Sequence, residues 1–242
     1  MAHFVTLWQV DRLALGVANI TFRATCIPGF KTPPLMTHDL PRPPDLRDWL
    51  FAALDLKPGE ETQASLLEPL YQLQHRWVGG EAAANAASYT DQPATWRAYT
   101  LYYLPINMAK LAFVLDRAPR LWEALPATGP WDLVEGGCGP GTNLWATLFW
   151  LHQHQPERLA RLRTVCGVDL APAALAVAQR LAAGLTRWPA FAHLQFSWQV
   201  ADWRSAPAEA QTLLIIGHVL TETQDPAPPA NGLPRPGALI AI

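Results

Sequence analysis

Glu135, Gly137, Gly139 and Gly141 stand in the pattern E-x-G-x-G-x-G within WDLVEGGCGPGT, residues 131–142. Glycines at such spacing let backbone N–H groups approach a ligand, because no Cβ stands in the way. Asp132-Leu133-Val134 reads as a short buried strand with Glu135 at its carboxyl end. Thr142 or Asn143 is expected to cap a helix over Leu144–His152. A dinucleotide fingerprint G-x-G-x-x-G needs glycine where the chain has Thr142. An acid two positions before Gly137 suits a ligand bearing an ammonium group rather than a pyrophosphate. Cys138, inside the turn, reads as a small packing residue rather than a nucleophile.

Further acids close later apolar runs. TVCGVD, residues 164–169, ends in Asp169; Leu194–Val200 alternates apolar residues and is followed by Asp202-Trp203; TLLIIG, residues 212–217, precedes His218 and Glu222. In a parallel sheet the ligand crevice lies beyond the carboxyl ends of the strands, so these acids are expected to face one crevice. A carboxylate at Asp169 can accept both hydroxyls of a ribose. The usual gap to that acid is roughly 20 residues; here it is longer, by an arginine-rich stretch containing Arg158, Arg161 and Arg163. A solvated helix face is the plainer reading of those arginines, and RNA phosphate contact the sharper one. His218 has the pKa class of a general base, although lining or capping the crevice is the plainer role for it.

The elements that must hold these residues are short strands alternating with helices, which predicts an α/β domain with a parallel sheet. Pro172 opens a helix over Ala173–Leu185, and Ala238–Ile242 is expected to be a fifth strand. Residues 1–88 are expected to form an N-terminal, mostly helical region, and residues 89–242 the ligand-binding domain. The first region includes six prolines between residues 28 and 44, an extended connector. Helices are expected from Asp45 to Leu56 and from Thr62 to Val78, the second kinked or broken at Pro69. VANITF, residues 17–22, fits either strand or helix. Two more helices, Ala94–Tyr103 and Ile106–Arg117, are expected to be separated by Pro105. Tyr99, Tyr102 and Tyr103 fit core aromatics, with one of them closing over a ligand as the sharper role. Residues 225–237 form a second proline-rich connector.

Composition sets outer limits. The 242 residues are 50% apolar, enough for one α/β domain with an extension. A net charge of −2 gives no global electrostatic case for nucleic acid, and no DNA partner is expected. Cations are almost all arginine, fifteen against three lysines, a bias that coding composition explains as well as phosphate binding does. Cys26, Cys138 and Cys166 lack metal-ligand or disulfide spacing, which points to a reducing, cytoplasmic setting. No signal peptide and no run of about 18 apolar residues is seen, so no membrane association is expected.

The ordered set of Glu135 with the three glycines, Asp169, Asp202 and the fourth apolar run resembles the class I S-adenosylmethionine (SAM) methyltransferases, over about residues 100–242. The resemblance implies a Rossmann-like class I methyltransferase sheet. It further implies that Glu135 and the turn Gly137, Cys138, Gly139, Gly141, Thr142 hold the methionine end of SAM. Asp169 would take the ribose hydroxyls and Leu170 would also bind the cofactor, with Asp202 on the adenine amino group and the Trp203 amide or side chain on the ring. Gly217, His218 and Tyr103 would complete the cofactor surround. Class I sheets normally add two more strands, so the chain is expected to be truncated after the fifth. More narrowly, YTLYYLPINMAKLAFVLDRA, GCGPGTNLWA, VDLAPAALAVAQRL and GHVLTE resemble a methyltransferase-like family linked to assembly of the bacterial and mitochondrial small ribosomal subunit. Many members carry an iron–sulfur cysteine cluster, which this chain lacks. The acceptor would be ribosomal RNA or a ribosome-associated component. The Asn/Asp-Pro-Pro-aromatic motif of nucleobase amine methylation is absent, since that place reads Gly217-His218-Val219-Leu220. Two alternatives follow: a SAM-binding assembly factor with little or no catalysis, and an NAD-binding oxidoreductase, which Thr142 and Glu135 disfavour.

Overall fold

The structure is a computed structural model and describes residues 46–57, 60, 64–79, 92–207, 209–217 and 238–241. The expected strand or helix at 17–22, both proline-rich connectors, Cys26, His218 and Glu222 lie outside these residues, as does the expected boundary between 88 and 89. Residues 43–242 make one compact unit.

Helices α1 (Leu46–Leu54), α2 (Ala64–Gly79), α3 (Pro93–Leu115) and α4 (Pro119–Glu123) precede the first strand. Then β1 (Trp131–Gly136), α5 (Thr142–His154), α6 (Pro156–Leu159), β2 (Leu162–Asp169), α7 (Pro172–Leu185), β3 (Gln195–Val200), β4 (Thr212–Ile216) and β5 (Ala238–Ala241) follow. The strands form one five-stranded sheet in the order β3-β2-β1-β4-β5, and every neighbouring pair is parallel. This is an α/β fold compatible with a Rossmann-like architecture. Among the described residues no helix is long and apolar enough to cross a membrane.

The central strands are buried on both faces, as their continuous apolar runs require. Leu133 pairs in register with Val165 and Leu213, and Val134 with Cys166 and Leu214; successive side chains point to opposite faces. On one face Val134, Cys166, Val168, Leu214 and Ile216 pack with Trp203 and Ala206. On the other, Trp145 of α5 lies against Phe196 and Trp198 of β3. Residues Thr142–Leu151 of α5 are all buried, the mark of a helix enclosed all round.

The break expected at Pro105 does not occur, and Pro69 does not break its helix either. Helix α3 runs unbroken through Pro105, and α2 continues through Pro69. Pro105 removes one i→i−4 bond, yet Leu101, Tyr102, Leu104, Ile106 and Met108 around it are buried. Tertiary packing of that face offsets the local loss.

Candidate functional site

The glycine turn joins β1 to α5 at the carboxyl end of the sheet, beside the ends of β2 and β4. Gly137, Gly139 and Gly141 all take positive φ, at 68°, 52° and 83°, a region that L side chains rarely enter. The alternating glycines are thus needed for the path of the chain. Gly141 also has to be bare: a Cβ there would lie 2.9 Å from the Trp145 ring.

Neither Thr142 nor Asn143 caps α5. The cap position is Gly141, and it offers no side-chain bond. Glu135 does the capping from the end of β1. Its Oε2 accepts the Leu144 backbone N–H at 3.1 Å, and its Oε1 accepts Asn143 Nδ2 at 2.7 Å. A carboxylate at this helix terminus also meets the positive end of the helix dipole. Glu135 is only 1% exposed. Burial pushes its pKa up to about 8, against the opposing pull of the Asn143 side chain and the Leu144 amide. At neutral pH much of the population is therefore protonated.

Asp169 fastens the turn from the end of β2. Its Oδ2 accepts the Gly139 N–H at 2.7 Å and its Oδ1 the Ala171 N–H at 2.8 Å. Burial raises its pKa, and these backbone donors oppose the rise. Gly137 and Cys138 both donate to the Val168 carbonyl, at 2.7 and 3.1 Å, and Gly141 donates to the Cys138 carbonyl at 2.8 Å. The N–H groups of Gly137, Cys138, Gly139 and Gly141 are thus bonded within the protein. With these four amides taken, the turn offers few of the free N–H donors that phosphate recognition at a helix start needs. Beside the turn stand the two acids and the Thr142 hydroxyl, a buried polar group with no hydrogen-bond partner.

The other expected residues fall as follows. Cys138 is buried and its thiol pKa is pushed well up, first by burial and then by Glu135 and Asp169, which disfavours the thiolate a nucleophile needs. Gly217 follows β4 beside the Glu135–Asn143 pair, and an added Cβ would collide with the Asn143 amide nitrogen. Leu170, next to Asp169, is 67% exposed, and Val200, at the end of β3, 61%. Both are apolar surfaces at the carboxyl ends of their strands. Asp202 caps the short 3-10 turn Trp203–Ser205 by accepting the Arg204 N–H at 2.8 Å, and pairs with the Arg204 guanidinium. Trp203 is buried under the sheet, with its backbone and Cβ against Gly136; its indole N–H has no partner. Tyr103 is half-buried, and burial raises its pKa. It contacts Tyr99, which contacts Trp96. His218 lies outside the described residues.

The structure thus gathers Glu135, the glycine turn, Thr142, Asp169 and Gly217 at the ends of the adjacent strands β2, β1 and β4, with Asp202 following β3. Two partners had gone unassigned. Asn143 binds Glu135 rather than capping its own helix. Trp96 of α3 lies over Gly139, its ring 3.4 Å from where a Cβ would stand. The available signal was its spacing: Trp96, Tyr99 and Tyr103 recur at helical intervals that place three aromatics along one face. Below them Lys110 Nζ donates to Asn107 Oδ1, and Asn107 Nδ2 donates to Tyr99 Oη.

No protein-family model matches this chain, and no curated protein matches it.

Proposed function

We propose that this chain is a SAM-dependent methyltransferase, with ribosomal RNA or a ribosome-associated component as acceptor. The observation that carries the reading is the internal use of the turn N–H groups between two carboxylates. A pyrophosphate would meet Glu135 and Asp169 and would find the amides of Gly137, Cys138, Gly139 and Gly141 already bonded. A sulfonium nucleoside with an ammonium group suits an acidic rim. Glu135 would favour the ammonium end, with the Thr142 hydroxyl available as a further polar contact. Asp169 keeps lone pairs beyond its two backbone bonds and would accept ribose hydroxyls. Exposed Leu170 offers apolar surface to the adenine, and Asp202 an acceptor for its amino group. The same acidic rim disfavours a nicotinamide dinucleotide.

A second reading, SAM binding in ribosome assembly without catalysis, draws on one feature. The stretch after β4 lacks the nucleobase-amine motif, reading Gly217-His218-Val219-Leu220. Methyl transfer would need an acceptor in line with the sulfonium, and His218 is the candidate for its base.

Calorimetric titration with SAM and with NAD tests the cofactor. SAM is expected to bind and NAD not to, and Asp169→Asn to weaken SAM by about tenfold or more, ~1.4 kcal/mol. NAD binding without SAM binding would overturn the reading. Label transfer from SAM to small-subunit precursors separates catalysis from a binding role.

A further inference from the structure

We propose that Trp122, Arg158 and Arg161 form a second binding site, for a phosphoryl group, at the amino-terminal end of the sheet. This is the end away from the glycine turn. The backbone there is held firmly: the Trp131 N–H donates to the Arg161 carbonyl at 3.2 Å, and the Trp131 indole to the Arg158 carbonyl at 2.9 Å. Arg158 Cζ lies 5.8 Å from the Trp122 ring centroid. Trp122 is itself buried and stacked on Trp150.

Arginines on a solvated face would leave their N–H groups to water. Here Arg158 Nη1, Arg161 Nε and Trp122 Nε1 are all buried donors with no acceptor. Each such group forfeits hydration without recovering a bond. Arg158 donates from Nε to Gln155 at 2.9 Å, which leaves Nη1 unserved. Among the described residues neither guanidinium forms an ion pair. Burial and then the neighbouring Arg161 charge hold Arg158 below its ordinary pKa. Arg163 is the contrast within the same stretch, because both of its bonds go to Asp132, at 3.2 and 2.8 Å.

Apart from the Gln155 oxygen on Arg158 Nε, the three unserved groups are all donors, which calls for an anion with several acceptor oxygens. A phosphoryl group supplies three acceptor oxygens and up to two negative charges, against the two oxygens and single charge of a carboxylate. Arginine's planar fork matches it. Both a small phosphorylated molecule and the phosphates of an RNA strand carry this chemistry.

The test is calorimetry on the full chain with inorganic phosphate and, separately, a short single-stranded oligoribonucleotide, at constant ionic strength. Phosphate is expected to bind, and Arg158→Gln and Arg161→Gln each to weaken it by about tenfold or more, while Arg163→Gln leaves it unchanged. Trp122→Phe keeps the ring and removes the donor; it is expected to weaken binding and guards against a fold defect in the arginine variants. An oligonucleotide that binds more tightly than phosphate, with a salt dependence reduced in the same variants, names RNA as the source. An oligonucleotide that binds no more tightly names a small phosphorylated molecule. Absence of binding by both probes, or equal affinity in Arg158→Gln, Arg161→Gln and the native chain, overturns the proposal.

Discussion

Glu135 sets a charge conflict at the residue scale. Its carboxyl has an ordinary value of 4.5 and titrates at about 8 in the folded protein. Between these values the native state holds more protons than the unfolded chain, so stability falls as pH rises through that window and levels off above it. Glutamine retains the acceptor for the Leu144 amide and carries no charge. Glu135→Gln is therefore expected to remove most of the stability loss between about pH 5 and about pH 8, measured by urea denaturation; an unchanged pH profile would refute this. Under the proposed function a bound ammonium favours the ionised carboxylate. SAM binding near neutral pH should then release protons, detectable as a calorimetric heat that varies with buffer ionisation enthalpy and absent in Glu135→Gln. The sequence showed an acid at a strand end, but not its bond to Leu144. That contact spans the glycine turn and depends on its three positive-φ glycines, so capping rules applied to adjacent residues missed it.

At the scale of elements, apolar runs and strand-end acids marked β1, β2 and β4 within a residue or two. Local rules failed where packing outweighed them. Pro105 reads as a helix break, yet α3 spans Pro93–Leu115, because buried neighbours on both sides hold the helix together. The proline still lacks a donor for the carbonyl one turn back. Pro105→Ala is expected to stabilise the fold by roughly 1–3 kcal/mol, seen as a higher urea midpoint with unchanged slope. A lower midpoint would mean that the ring contributes more by packing than the missing bond costs. The resemblance implies a ligand contact at Trp203, by backbone amide or side chain, and the structure packs its side chain beneath the sheet among Val134, Cys166 and Ile216. Its neighbours come from other strands, and sequence adjacency carries no record of them.

At the scale of the whole unit, α1 is fastened to the sheet domain through Trp49. The Trp49 indole donates to the Leu181 carbonyl of α7 at 2.9 Å, and the ring meets Trp145 and Phe149 edge-on. Trp49→Ala is expected to cost about 3–5 kcal/mol and to lower one shared transition rather than detach α1 in a separate one; two resolved transitions by circular dichroism and fluorescence would show that α1 folds apart. Trp145, which Trp49 touches, also donates its indole N–H to the Pro140 carbonyl at 2.7 Å. The loop beneath any ligand is thus tied from below by an indole and from the sides by Val168 and Asp169. Its conformational freedom is lost when the chain folds, not when a ligand arrives. Association should consequently proceed without a slow rearrangement of this loop, and residence time, more than arrival rate, should distinguish one ligand from another.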